Sequence, residues 1–399
     1  MITAGIILGL TLFVFAVGRS PVFRVDRAGA AIIGATAIIA SGILTFDQAS
    51  AAIDHRTLAL LFSMMIVSAN LKLGGFFAMT GDFLLRTASG RRQLLLAVVM
   101  TSGILSALCI NDIVCLLLTP VVLAVCRRSG APPLPHLLGL AMASNIGSAA
   151  TLIGNPQNIM IASLSGMHFG AYFLKAAPIA FAGLVLTYGV IAVMFRRDLE
   201  GELADAGREK TVFSPYIVVK TLAVLALILA GFLIGLDMAV TAGVGAAFLL
   251  LTRRISPNKI YTSVDFNLLV IFMGLFIVVG GVEKAGLMAW LMGRIAFLDF
   301  GNMAVFGTIT ALLSNVVSNV PAVMLLKYFM PQNGDVWWTA LAVFSTVAGN
   351  LTITGSIANL IVAEIAKREH VRIGFRDYLK AGFPLTVAVS ALAVLVLWP

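Results

Sequence analysis

The sequence predicts an all-α polytopic membrane protein built from two inverted repeats, each of five spans and one re-entrant hairpin. Three observations point there. Hydrophobic residues make up 60% of the 399 and charged residues only 11%, a balance far outside that of soluble domains. The apolar runs fall into two series of the same order. Each series also holds a matching polar break in apolar sequence, Gly154-Asn155-Pro156-Gln157-Asn158-Ile159-Met160-Ile161-Ala162 and Gly355-Ser356-Ile357-Ala358-Asn359-Leu360-Ile361-Val362-Ala363. Polar breaks in lipid are costly unless they line a cavity. Two of them at corresponding places point to a substrate site between repeats, the pattern of a transporter.

A span needs about 20 apolar residues. Full spans read near 2–18, 28–45, 57–75, 137–165 and 174–195, then 214–233, 238–252, 266–282, 337–366 and 381–398. The first, without a charged leader or cleavage site, reads as a retained span. Segments 92–126 and 302–330 are too long for one span and too short for two with a loop. Each has polar residues at its middle, Asn111-Asp112 and Ser318-Asn319, as expected of two half-helices meeting at a tip within the membrane. Segments 76–90 and 285–298 read as amphipathic surface helices, and 196–212 as a charged cytoplasmic linker.

Five spans per half is an odd number, so the second half must be inverted, and the charges agree. With the N-terminus outside, the inner loops hold most of the basic residues, among them Arg19, Arg24, Arg91, Arg127, Arg196, Arg208, Lys210, Arg253 and Arg372. Arg56, Lys175, Lys284, Arg294 and Lys327 remain outside. This positive-inside bias gives an N-out, C-out topology in a bacterial-type inner membrane, and it accounts for the net charge of +9 without nucleic acid as a partner. Cys109, Cys115 and Cys126 have neither zinc-ligand spacing nor a disulfide framework, and read as small core residues.

Register supports duplication beyond the breaks. Asp26, Ala31 and Gly34 match Asp237, Ala242 and Gly245 at an offset of 211, as do Asp54 and Gly75 with Asp265 and Gly286. Ser106 and Asn111 match Ser314 and Asn319 at 208, and the breaks match at 201.

Each tip and each break exposes a half-helix N-terminus, with unpaired N–H groups and a partial positive charge of roughly half an elementary charge. Asn111, Asn155, Asn158, Asn319, Ser356 and Asn359 are the candidate substrate ligands there. Such ends can hold an oxyanion without arginine, and no Arg or Lys falls mid-segment. Asp112 is the only acid at a tip. With Ser144, Asn145, Ser314, Gly349 and Asn350 it forms the candidate set for a coupling proton or sodium ion. No other cofactor or metal is expected. Packing and interhelical hydrogen bonding compete for each Asn and Ser, and helix capping for Asp112, Asp54 and Asp265. An intramembrane enzyme would need a nucleophile with its base or a metal cluster. His55, His136, His168 and His370 lie in loops or at span ends, without a His-Glu-x-x-His.

These residues resemble the ion transporter superfamily, which holds arsenite permeases, divalent anion/sodium symporters, citrate transporters and one class of sodium/proton antiporter. The resemblance covers nearly the whole chain. Asn111-Asp112 with Leu118-Thr119-Pro120 looks most like the arsenite permease branch, and Gly154 to Asn158 is similar to a stretch of the dicarboxylate branch. It implies a homodimer working by an elevator movement, with 92–195 and 302–399 moving against a scaffold of 1–90 and 214–298. A cytoplasmic ATPase subunit is a further partner that some arsenite permeases of the family allow. The dicarboxylate branch carries Ser-Asn-Thr at both tips; here they read Ile110-Asn111-Asp112 and Ser318-Asn319-Val320. An Asp in that place favours proton coupling, or efflux of a neutral or weakly acidic oxyacid.

The leading expectation is a secondary transporter of a small inorganic or organic anion or oxyacid, coupled to H⁺ or Na⁺. Arsenite or antimonite efflux stands close to it. A sodium/proton antiporter is the mechanistically different alternative.

Overall fold

Asp26, Asp54, Asp237 and Asp265 each stand one residue before a helix, and each carboxylate accepts from N–H groups of the first turn. These caps mark the same two helix starts in each half. The computed structural model describes residues 1–204, 213–295, 297–331 and 334–398; the part of the expected 196–212 linker from 205 on, with Arg208 and Lys210, lies outside the described residues.

The described residues form α-helices and no named strand. The first series is α1 (Ile2–Val17), α2 (Arg27–Ala40), α3 (Phe46–Ala52), α4 (His55–Gly74), α5 (Phe76–Thr87), α6 (Arg91–Leu108), α7 (Asn111–Ser129), α8 (Pro133–Ser148), α9 (Pro156–Ser165) and α10 (Phe169–Met194). The second is α11 (Pro215–Leu233), α12 (Met238–Leu250), α13 (Pro257–Tyr261), α14 (Phe266–Lys284), α15 (Leu287–Arg294), α16 (Met303–Val317), α17 (Asn319–Leu326), α18 (Asp335–Ala348), α19 (Ile357–Arg368) and α20 (Phe375–Leu397). Helices α4, α6, α10, α11, α14 and α20 are long and apolar enough to cross a membrane, and the chain is an all-α polytopic membrane protein.

Both hairpins form. The root of the first is closed by Arg91, at the start of α6, whose guanidinium donates to the carbonyl of Gly130 just past α7. The root of the second is closed by Phe300 stacked on Phe329, centroids 5.6 Å apart. The first turn falls just before its polar pair, and the second falls on Ser318, the first residue of its pair. The chain reverses at Cys109–Ile110 and at Ser318 (φ 76°), so Asn111 and Asn319 open the returning helices. The first hairpin's limbs are also long, 18 and 19 residues or about 27 and 28 Å.

The expected span 137–165 is broken into α8 and α9, and 337–366 into α18 and α19. Pro156 at the first turn of α9 and Gly355 before Ser356 suit those restarts. The amphipathic segments are shorter than expected, as α5 and α15.

The halves pack across each other through small residues. α2 runs alongside α14 in the same direction: a side chain at Gly274 would meet Ala31, one at Gly34 would meet Val278, and one at Gly281 would meet Ile38. α4 runs alongside α12, with Arg56 bound to Asp237 at 3.0 Å and Ser63 facing Gly243. Ala52, just before α4, meets Gly280 near the end of α14, so these two counterpart helices run in opposite directions.

Candidate functional site

Asn145, on α8, is the hub of the polar interior, and its orientation is fixed by backbone carbonyls two bonds away. Asn359 donates its amide to the carbonyl of Gly349 at 2.7 Å, and Asn350 donates to that of Met142 at 3.1 Å. Both therefore present Oδ1 to Asn145, whose Nδ2 donates to them at 3.0 and 2.8 Å. Oδ1 of Asn145 then accepts from Ser356 Oγ at 3.0 Å and from Asn111 Nδ2 at 3.1 Å. Two donors and two acceptors are all that an amide offers, so Asn145 is saturated. It is also 1% exposed.

The first break builds a second network on Thr346 of α18. Asn155 Nδ2 and Gln157 Nε2 both reach Thr346 Oγ1, at 3.1 and 3.2 Å. The arrangement is crossed: the first-half hub holds the second-half break, and the second-half Thr346 holds the first-half break. Ser148 joins the two networks, accepting from Asn155 Nδ2 and donating to the carbonyl of Asn145.

The unwound segments are held alike. Asn158 Nδ2 reaches the carbonyls of Ser148 and Thr151, ten and seven residues back. Asn359 Nδ2 reaches those of Gly349 and Thr352, at the same separations. A helix break leaves orphan carbonyls, and one amide at a fixed position satisfies two of them in each half. Tyr172 adds to the first, its hydroxyl donating to the carbonyl of Ala149 and accepting from Asn158. Gly154 and Gly355 restart the chain where a Cβ would strike the carbonyl oxygen of Ser148 and the side-chain oxygen of Asn315.

The four half-helix N-termini differ. Asn155 and Ser356 cap their own helices, accepting from the N–H of Asn158 and of Ala358. The returning hairpin helices α7 and α17 have no side-chain cap. Those same helices begin with the two Asn whose Oδ1 atoms are buried without a partner, Asn111 and Asn319. Such an acceptor costs about 1–3 kcal/mol if nothing donates to it.

The predicted residues thus divide. Asn111, Asn145, Asn350, Ser356, Asn359 and the Gly349 carbonyl share one network. Ser144 adjoins it, bonded to Ser106 Oγ at 2.8 Å. Asn155 and Asn158 belong to the second network. Ser314 and Asn319 join neither, each with a buried oxygen lacking a partner among the described residues. Asp112 is half-buried beside Asn111, and the charged groups that reach it are Asp265 and Arg27, which flank the starts of α14 and α2. Thr346, Ser148, Thr151 and Tyr172 were missed; the pairing of Ser148 and Thr151 with Gly349 and Thr352 at offset 201 was their signal. Asn315, which donates to the carbonyl of Ala348 and accepts from Thr352, was missed too. The cavity of about 230 Å³ lined by Arg56, His168 and Asp237 lies away from both networks.

Comparison with known proteins places the chain among membrane transporters. The citrate transporter family matches residues 10–342. The silicon efflux transporter LSI3 of Oryza sativa subsp. japonica is 30% identical, over 94% of this chain and 93% of that protein. The putative transporter arsB of Dictyostelium discoideum is 27% identical over 93% and 87%, and the inner membrane protein YbiR of Escherichia coli K12 is 28% identical over 82% and 84%. With a match that spans most of its length, the chain belongs to the citrate transporter family, and it is a membrane permease rather than an enzyme.

Proposed function

We propose that the protein is a secondary active transporter for a small oxyacid in its undissociated, hydroxyl-bearing form, coupled to protons through Asp112. The observation that carries this reading is the pair of buried acceptors without partners, Asn111 Oδ1 and Asn319 Oδ1, at corresponding places on the two hairpins. An acceptor oxygen suits a ligand that donates O–H groups, and it repels a carboxylate or a fully ionised oxyanion. Two of the four helix N-termini are occupied by their own caps, which weakens the case for a multiply charged anion. Two relatives carry names that fit, one a silicon efflux transporter and one an arsB-type transporter. Arsenous, antimonous and silicic acids are the class to test first.

The movement is of the elevator type, with 92–195 and 302–399 travelling as one body against 1–90 and 214–298. The crossed networks on Asn145 and Thr346, which tie α8 to α19 and α9 to α18, support the single moving body. The opposed directions of α4 and α14 support inverted repeats, and the positive-inside bias of the loops supports an N-out, C-out placement in the inner membrane. The protein works as a homodimer.

The same two oxygens also suit a sodium ion, and that favours the sodium/proton antiporter as the second reading. Proteoliposomes loaded with arsenous or silicic acid decide between them. A pH gradient that drives oxyacid movement, with matching proton flux and no need of sodium, supports the proposal. Sodium moving against protons with no oxyacid present would replace it.

A further inference from the structure

Buried hydroxyls on membrane helices ordinarily donate to the carbonyl one turn back. Ser68, Ser102, Thr119, Ser129, Thr187 and Thr221 all do so here. Five others do not. Thr310 and Ser314 of α16 and Tyr378, Thr386 and Ser390 of α20 have buried oxygens without a partner among the described residues. The two helices pack against each other, and these five account for most of the buried side-chain atoms left unpaired among the described residues. Thr310 and Ser314 are 0% exposed, Tyr378 1% and Thr386 4%.

The spacing is regular. Tyr378, Gly382, Thr386 and Ser390 recur every fourth residue along one slowly winding ridge of α20, which turns about 120° around the helix from end to end, and Thr310 and Ser314 have the same spacing on α16. Gly382 lets that ridge approach the second break, where a Cβ would strike the carbonyl oxygen of Asn350. The stripe therefore runs past the Asn145 network at that point, and spans about 18 Å from Tyr378 to Ser390.

The first half shows what the stripe is not. Phe169, Tyr172 and Pro178 of α10 match Phe375, Tyr378 and Pro384 of α20 at an offset of 206. Where α20 then carries Gly382, Thr386 and Ser390, α10 carries Ala176, Ala180 and Leu184. Tyr172 is bonded to protein, and Ser102 and Ser106 of α6 have partners. The packing thus needs no hydroxyl where α20 has Thr386 and Ser390, and at the other three positions the first-half hydroxyls are paired while the second-half ones are not.

We propose that α16 and α20 enclose a file of water molecules, held by Tyr378, Thr386, Ser390, Thr310 and Ser314, that passes protons between the broken span and the membrane face beyond Ser390. A buried water makes about three hydrogen bonds, and hydroxyls with nearby carbonyls supply them. Each hydroxyl accepts a proton from the water behind it and releases its own to the water ahead. One proton is displaced per passage, and every group ends as it began. The inference rests on the proton-coupled reading above.

The test uses the full-length protein in proteoliposomes. X-ray radiolytic labelling, which marks side chains beside ordered water, should modify Tyr378 despite its burial, at a rate comparable to the exposed Tyr216, while Tyr172 stays unmodified. The doubly substituted Thr386→Val, Ser390→Ala protein should lose at least tenfold in oxyacid-driven proton flux while keeping ligand-induced thermal stabilisation, and Thr386→Ser should keep the flux. An unlabelled Tyr378, or full flux in the double variant, overturns the proposal. Wild-type transport without proton movement overturns the coupling itself, and labelling, which needs no transport, separates that failure from a dry interface.

Discussion

Asn145 donates to Asn359 at 3.0 Å across 214 positions of sequence, and Asn359 in turn holds the carbonyl of Gly349 with its own amide. A residue of the first half thereby orients the break of the second. Of the two side-chain oxygens that meet there, that of Asn145 is filled and that of Asn111 has no partner among the described residues.

Asn145→Ala should be the most damaging of the polar substitutions. It strips partners from Asn111, Ser356, Asn350 and Asn359 at once. Stranded buried groups cost about 1–3 kcal/mol each in water-soluble proteins and less in membranes, so a loss of roughly 3 kcal/mol is expected. Thermal unfolding in detergent measures it, and an unchanged melting temperature would remove Asn145 as the hub.

Asp112→Asn should behave oppositely. Asp112 joins neither network and is half-buried, so the variant should fold and melt like the parent. Gradient-driven transport should vanish, while exchange of substrate at equilibrium persists. Coupled uptake at the parental rate would take Asp112 out of the mechanism.

Asn158→Ala and Asn359→Ala each release two carbonyls of an unwound segment. Ligand affinity should fall about tenfold in both, or roughly 1.4 kcal/mol, as the breaks lose their shape. Titration of the thermal shift with ligand reads this directly. Parental affinity in both would make the paired motif packing alone.

Gly154→Ala places a methyl against the carbonyl oxygens of Ser148 and Ser106. Backbone cannot yield as a side chain can, and the restart of α9 should fail. The expected outcome is little folded protein by size-exclusion chromatography. At Gly166, where no atom lies within 4 Å but φ is +62°, alanine should cost only about 1 kcal/mol of backbone strain.

Much of this was legible in the sequence because membranes make polar residues conspicuous. Asn155 and Asn359 stand out against aliphatic neighbours, and the Asp caps at 26, 54, 237 and 265 repeat at one offset. Hairpins followed from length and central polarity, but not the turn of the first. Cys109–Ile110 is apolar and extended, and carries no turn signal. The crossing of the networks was not legible at all. Offset matching pairs Asn145 with Thr346, yet says nothing of which break each one holds. Nor does a Thr such as Thr386 announce whether its hydroxyl has a carbonyl to bond; that depends on helix geometry.

The most direct measurement is thermal stabilisation of the purified protein and of Asn111→Ala and Asn319→Ala by arsenous acid, silicic acid, phosphate, sulfate and citrate, at two pH values, with and without sodium. Stabilisation of the parent by the undissociated acids alone, independent of sodium and lost in both variants, is the expected result. Stabilisation by citrate or sulfate, retained in both variants, would contradict the assignment of the two hairpin oxygens as the substrate site.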